Sequence, residues 1–195
     1  DANISLKLTH LGLDLGEEFC AEQLRRVTRR ATECANFVRI DMESSAYTDQ
    51  TLRMVKQARS GTDAVGTVIQ AYLLRSEQDI RDLLDIGCRI RLVKGAYKES
   101  PQIAFPRKKD VDANFVKLMK ILLPSGIYHA LATHDPGMID AAIQFAAENA
   151  ITKDKFEFQM LYGIRTDLQS WLVREGYRVR VYVPYRHQWY EYSLR

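Results

Sequence analysis

One unit recurs seven times along these 195 residues: a short apolar stretch, a polar junction, then an amphipathic helical pattern. The apolar stretches are Asn3–Leu8, Phe37–Met42, Gly66–Leu73, Arg89–Ala96, Tyr128–Thr133, Phe156–Leu161 and Arg178–Val183. Helical patterns follow within Glu17–Ala35 and near Thr48–Arg59, Glu77–Ile86, Val111–Leu123, Gly137–Ala147, Asp167–Glu175 and Gln188–Arg195. Gly87, Gly126 and Gly176 fall just before strands, where helix C-caps want them, and Ser76 is placed to cap the third helix. Strict strand–helix alternation requires a parallel sheet covered by helices.

Two architectures satisfy that pattern, an open doubly wound sheet and a TIM-type (β/α)8 barrel. The first should carry a glycine-rich fingerprint after its opening strand, and none is present. Polar residues instead sit at nearly every strand end: Lys7, Asp41, Gln70, Lys94, Thr133-His134-Asp135, Gln159 and Tyr185. That distribution suits a barrel, whose site is assembled from many strand ends at one mouth. A barrel needs eight strands, so the expectation is a single α/β domain over residues 1–195 that lacks its first strand. The chain begins at Asp1 without Met and stops at Arg195 inside a helical pattern, so both ends are expected to be cut.

Composition excludes several functions. A net charge of +3, with acids interspersed among the cations, argues against a nucleic-acid partner. Cys20, Cys34 and Cys88 have no metal-ligand spacing and read as free thiols of a reducing, cytoplasmic compartment. There is no apolar run of membrane-spanning length and no signal-peptide pattern.

The stretch Arg91-Leu92-Val93-Lys94-Gly95-Ala96-Tyr97 holds the most chemistry. Two cations on a buried strand are costly unless something anionic meets them, although long cations also snorkel to solvent. Gly95-Ala96 leaves room for a ligand to approach the backbone. Lys7 and Asp41, on adjacent strands, are expected to lie close enough to interact, either around a substrate carboxylate or as a structural ion pair. Gln70, an amide inside an apolar strand, matches the imide-like edge of a flavin or nucleobase, or a core hydrogen bond. His134 is a candidate base or ligand contact, or a structural histidine. The long connection Lys98–Asp110 carries Arg107, Lys108 and Lys109, a cluster able to take a pyrophosphate or to remain a solvated charge run. Trp189, Tyr192 and Arg195 would share one face of a terminal helix.

These residues, with Ile4-Ser5-Leu6-Lys7-Leu8, Ile40-Asp41-Met42-Glu43, Val68-Ile69-Gln70-Ala71-Tyr72, Ala132-Thr133-His134, Phe156-Glu157-Phe158-Gln159-Met160-Leu161-Tyr162-Gly163 and Tyr192-x-x-Arg195, occur in an order that resembles the proline dehydrogenase family. The resemblance covers essentially the whole chain. It implies a (β/α)8 barrel holding noncovalent FAD at its mouth. It implies FAD contacts from Gln70, Arg91, Lys94, Thr133 and His134 and from the backbone at Val93, Gly95 and Ala96, with Arg91 near the flavin N5 and Lys108 helping to hold the cofactor. Lys7 and Arg195 match the cations that pair with the proline carboxylate. Tyr97, Leu161, Tyr182 and Tyr192 match walls of the substrate pocket, and Asp41 its acidic member.

The implied reaction transfers a hydride from the proline Cδ to flavin N5, giving Δ1-pyrroline-5-carboxylate, with quinone as electron acceptor and a peripheral association with the membrane. The family also places a strand before Asp1 and a second carboxylate-binding Arg beyond Arg195, and many relatives carry Gly where Arg186 stands. Two other functions stay open from the residues alone: a flavin-free barrel lyase or aldolase with a Schiff base on Lys94, and a non-catalytic barrel fragment. The resemblance also sets a geometric condition. Arg91 and Lys94 are three residues apart and would face opposite sides of a regular strand. Both can reach one ligand only if the strand ends near Val93.

Overall fold

A computed structural model describes residues 2–185. Seven strands form one parallel sheet in sequence order: β1 (Ile4–Leu6), β2 (Val38–Ile40), β3 (Val65–Gln70), β4 (Arg89–Val93), β5 (His129–Ala132), β6 (Phe156–Leu161) and β7 (Arg178–Tyr182). Six α-helices among the described residues connect them: α1 (Glu17–Glu33), α2 (Ser45–Arg59), α3 (Ser76–Leu84), α4 (Lys108–Leu122), α5 (Pro136–Glu148) and α6 (Thr166–Arg174). The sheet is curled. Arg91, on the central strand, reaches Ser5 of β1 and lies over the Tyr182 ring of β7, so both edges bend toward the same side. The result is a half-barrel in which β1 and β7 are the edge strands. The expected terminal helix over 188–195 lies outside the described residues.

The strand register sorts the side chains into two faces. Ser5 pairs with Arg39, Val68 with Arg91, Arg91 with Ala130, Ala130 with Glu157 and Gln159 with Arg180. In a parallel sheet such partners point the same way, and here that way is the concave interior. The interior is therefore largely polar. The alternate residues, such as Ile40, Ile90, Leu92, Leu131, Phe156 and Phe158, face outward and form the main core with α-helical residues such as Phe115 and Met119. Sheet-to-helix burial carries the hydrophobic stabilisation.

Several strands are shorter than their apolar patterns. β1 stops at Leu6, because the chain turns into two short 3-10 segments, Thr9–Leu11 and Leu13–Leu15. β3 stops at Gln70 rather than Leu73, since the Leu73 N–H turns back to the Gln70 carbonyl at 3.2 Å. Ser76 is not the N-cap of α3. It is the first helical residue, Arg75 precedes it as cap, and its hydroxyl donates to the Gln70 carbonyl at 2.6 Å. α4 begins at Lys108, three residues before its apolar pattern, and α2 begins at Ser45. Gly87, Gly126 and Gly176 have left-handed φ angles of 66°, 76° and 82°, as the turns before strands require.

His129 faces outward from β5 and is 1% exposed. Its Nδ1 accepts from the Ile90 N–H at 3.0 Å, and its Nε2 lies 3.0 Å from Ser125 Oγ. Burial, with Arg39 nearby, pushes the imidazole down from 6.5 to about 3. The folded ring stays neutral while the unfolded one gains a proton. Its stabilisation is therefore complete above about pH 6.5 and lost as pH falls, by up to about 1.4 kcal/mol per unit. In urea unfolding between pH 6.5 and 5, a His129→Asn variant is expected to lose stability less steeply than the parent. Equal slopes would remove His129 as the cause.

Candidate functional site

The strand C-termini place one group of polar residues at the mouth of the half-barrel. Arg91, 7% exposed, is its centre. Its Nη1 donates to Asp41 Oδ1 at 2.7 Å, its Nη2 to Ser5 Oγ at 2.7 Å and its Nε to Gln159 Oε1 at 2.5 Å. The guanidinium sits 5.3 Å from the Tyr182 ring centroid, and the Tyr182 hydroxyl donates to Asp41 Oδ2 at 3.3 Å. Four strands or strand ends thus converge on one cation. Burial pushes the Asp41 carboxyl above the usual range, and Arg91 and Tyr182 only partly offset it.

This geometry corrects the expected Lys7–Asp41 contact. Asp41 takes Arg91 as its cation, because Asp41 continues the inward face of β2 toward the central strand. Lys7 lies one residue past β1 and has no carboxylate within ion-pair distance among the described residues.

Gln70, at the end of β3, is 3% exposed. Its Nε2 donates to the Met42 and Glu43 carbonyls at 3.3 and 3.2 Å. Its Oε1 is buried and has no hydrogen-bond donor among the described residues. A buried acceptor left open is costly, so a donor that enters the mouth would be favoured there.

β4 ends at Val93, which meets the geometric condition set by the Arg91–Lys94 spacing. Lys94 then turns toward the N-terminal ends of α4 and α5. Its Nζ lies 2.6 Å from Asp112 Oδ1 and 2.7 Å from Asp135 Oδ2. Lys108 pairs with Asp112 as well and lies 3.6 Å from Asp135. Hydrogen bonds from Lys94 hold the Asp135 carboxyl below the usual range. Lys94 and Lys108 are brought together, but two carboxylates share them. Arg107 pairs with Asp110 at 2.6 Å. Of the cluster expected in this connection, Arg107 and Lys108 are held by carboxylates of the same segment, and Lys109 has no ion-pair partner among the described residues.

Gly95 has φ +114°, and a Cβ there would stand 2.2 Å from the Tyr72 ring. The fold itself requires glycine at this position. The connection beyond it is strapped down rather than loose. Leu73 and Ala104 form an isolated antiparallel bridge, and the Glu99 carboxylate accepts from Ser45 N–H and Oγ at 2.7 and 2.6 Å. Ala96 and Tyr97 lie between Gly95 and the Glu99 anchor, with Tyr97 at the surface.

Thr133 is buried. Its N–H donates to the Gln159 carbonyl at 3.2 Å, and its Oγ1 accepts from the Asp135 N–H at 3.1 Å. His134 Nε2 accepts from the Leu161 N–H at 2.9 Å, while burial and then Arg165 lower its pKa. The ring is therefore neutral, with its proton on Nδ1. Tyr192 and Arg195 lie outside the described residues.

Ser5, Glu157 and Arg180 are site-supporting residues that end-of-strand reading missed. Alternation could have found two of them, since Phe156-Glu157-Phe158-Gln159 and Val179-Arg180-Val181-Tyr182 alternate apolar and polar positions. A broad surface concavity lined by Ile4, Leu15, Phe19 and Phe37 flanks the edge of β1 and the front of α1. No group of three His, Cys, Asp or Glu residues able to hold a metal exists among the described residues. No described helix is long and apolar enough to cross a membrane.

A curled, seven-stranded parallel sheet with polar residues gathered at its strand ends defines an α/β half-barrel. The chain belongs to the proline dehydrogenase family, whose model matches residues 1–188. It is 48% identical over 195 residues to proline dehydrogenase 1 of Bacillus subtilis subsp. natto, covering all of this chain and 65% of that protein. It is 44% identical over 197 residues to proline dehydrogenase of Deinococcus radiodurans, covering 98% of this chain and 64% of that one. The crystal structure of proline utilization A from Bdellovibrio bacteriovorus inactivated by N-propargylglycine superposes with a TM-score of 0.87 at 30% identity, covering 95% of this chain and 22% of that one. The chain thus spans just under two thirds of the length of these curated relatives.

Proposed function

We propose that this chain forms seven strands of an eight-stranded (β/α)8 barrel and belongs to an FAD-dependent proline dehydrogenase. The enzyme oxidises L-proline to Δ1-pyrroline-5-carboxylate and passes the electrons to quinone, as a cytoplasmic protein that meets the membrane peripherally. The observation that carries this reading is Arg91, fixed by Asp41, Ser5 and Gln159 beside the open acceptor of Gln70. Family membership over residues 1–188 supports the substrate. So does the inactivation of the Bdellovibrio relative by an N-substituted amino acid.

The residues present fit a flavin. The unpartnered Gln70 Oε1 suits the imide N–H of an isoalloxazine ring, and the ring would meet Arg91 and the Val93–Ala96 backbone. Thr133, His134, Lys94 and Lys108 would hold the rest of the cofactor. Bound FAD supplies the two-electron acceptor. The protein's own residues orient and exclude. Lys7 and Arg195 would clamp the substrate carboxylate, so that the encounter becomes effectively unimolecular. Tyr97, Leu161, Tyr182 and Tyr192 would wall the ring in, and Asp41 would hold Arg91 and Tyr182 in place. A fixed cation near the cofactor favours its electron-rich reduced state. Lys94 lies between two carboxylates, which disfavours the Schiff-base alternative.

The test is an anaerobic absorbance spectrum of the FAD-loaded protein. Proline is expected to bleach the flavin band, and Gln70→Leu to weaken FAD binding by about tenfold, the value of one hydrogen bond to a buried acceptor. A protein that binds no flavin, or a flavin unmoved by proline, would overturn the reading.

A further inference from the structure

Glu157 is the second residue of β6, 3% exposed, one inward step below Gln159. Its carboxylate accepts from Tyr128 Oη at 3.1 Å, from Arg180 Nε at 3.0 and 3.2 Å, and from Gln159 Nε2 at 2.5 Å. Burial pushes its carboxyl up, but the bonds from Arg180, Gln159 and Tyr128 more than offset this and keep it ionised. A carboxylate of this kind can only accept, and a guanidinium N–H can only donate. Gln159 stands between one of each. Its amide must therefore turn its NH2 toward Glu157 and its oxygen toward Arg91 Nε. The reversed amide would set oxygen against carboxylate and NH2 against guanidinium.

We propose that Glu157 is a positioning residue: it locks the Gln159 amide in one orientation, and through it fixes the plane of the Arg91 guanidinium at the mouth of the barrel. Asp41 and Ser5 hold only the two Nη atoms. Without the Gln159 anchor on Nε, the group can pivot about that pair. Gln159 and Arg180 are also register partners on β6 and β7, so Arg180 holds Glu157 from the neighbouring strand and keeps the lock in place.

This inference rests on the reading of Arg91 as the flavin-facing cation, so the experiment separates the two. FAD-loaded full-length chain would carry Glu157→Gln, Gln159→Leu, both changes together, or Arg91→Lys. The readouts are the visible spectrum of the bound flavin, the FAD dissociation constant, and kcat and KM for proline. Each single change on β6 is expected to shift the flavin band alike. Each should lower kcat about tenfold, as for one lost hydrogen bond to a charged group. KM should change less than about twofold, because the carboxylate clamp lies elsewhere. The double variant is expected to match either single one, since both act through one chain of contacts.

A Glu157 that only braces Arg180 would instead add its full effect in the Gln159→Leu background, which overturns the lock. Unchanged spectrum and kcat in Glu157→Gln overturns it as well. If Glu157→Gln does not fold, Glu157→Asp keeps the charge but shortens the reach to Gln159, and the same criteria apply. An inert Arg91→Lys overturns the reading of Arg91, and the lock with it. An effective Arg91→Lys beside inert β6 variants overturns the lock alone.

Discussion

Replacing Arg91 by Met is expected to cost about 3–5 kcal/mol of folding stability at pH 8, the usual penalty for removing one partner of a buried ion pair. It should also reduce proline-dependent flavin reduction by at least about a hundredfold, comparable to losing one fixed charge-stabilising donor in other enzymes. The stability cost comes from Asp41. Its side chain is 14% exposed, and without Arg91 it keeps only the Tyr182 hydroxyl as a described hydrogen-bond partner. Burial already pushes this carboxyl up with the cation present, and losing the cation pushes it further.

The sign of the pH dependence follows. A carboxyl raised in the folded state binds more protons there than in the unfolded chain. The destabilisation is therefore full at neutral and alkaline pH, and it shrinks as pH falls and Asp41 is protonated. Adding Asp41→Asn to Arg91→Met removes the stranded charge. That double variant should recover most of the stability and none of the flavin reduction. Urea unfolding at pH 8 and pH 5, with anaerobic proline titration, checks both. A single variant as stable as the parent at pH 8 would show that the pair adds nothing to folding.

Gly95→Ala is expected to damage folding and cofactor binding together. The position has φ +114°, where a side chain is strained, and its new Cβ would meet Tyr72 Cδ1 at 2.2 Å. Backbone strain of this kind costs about 1–3 kcal/mol. Forcing the Tyr72 ring aside adds about 1–3 kcal/mol more, because the site is closely packed. Tyr72 is 8% exposed, and its N–H is tied to the Lys94 carbonyl at 2.8 Å. The ring therefore cannot retreat without disturbing the Val93–Ala96 turn. FAD affinity should fall by at least about tenfold in step with a loss of about 1.4 kcal/mol or more at that turn. Tyr72→Leu combined with Gly95→Ala should regain the packing component but not the strain. Thermal unfolding and FAD titration of the three proteins separate the two. A fully restored double variant would mean that the φ angle carries no cost.

The grouping of several polar residues at one end of the sheet was legible because strands expose their ends in a known order. Gln70, Thr133 and His134 were marked as polar side chains closing apolar runs and Arg91 as a cation within a buried strand, and the structure sets them on the same side of the sheet's C-terminal end. What could not be read was pairing across the interior. Lys7 and Asp41 are neighbours by strand order, yet Asp41 belongs to Arg91, fifty positions away in sequence. Which cation reaches a carboxylate depends on how tightly the sheet curls, and no local pattern encodes that curvature. Lys94 was marked by its spacing from Arg91, but its two carboxylates, Asp112 and Asp135, come from helices whose approach only packing fixes. Ser76, by contrast, looked like a cap and became the first residue of its helix, since the turn after Gln70 offered its hydroxyl a buried carbonyl at 2.6 Å.

By itself, the sequence determined the alternation of seven strands and their helices, the parallel order of the sheet, and the family. Periodicity, turn glycines and ordered motifs are local properties that survive without coordinates. The tertiary structure decided which face of each strand points inward, and so that a row of polar groups runs from Tyr128 through Glu157 and Gln159 to Arg91 and Asp41. The reason is physical. Each residue in that row satisfies a partner on another strand, and a buried donor or acceptor takes its identity from what the folded chain sets opposite it.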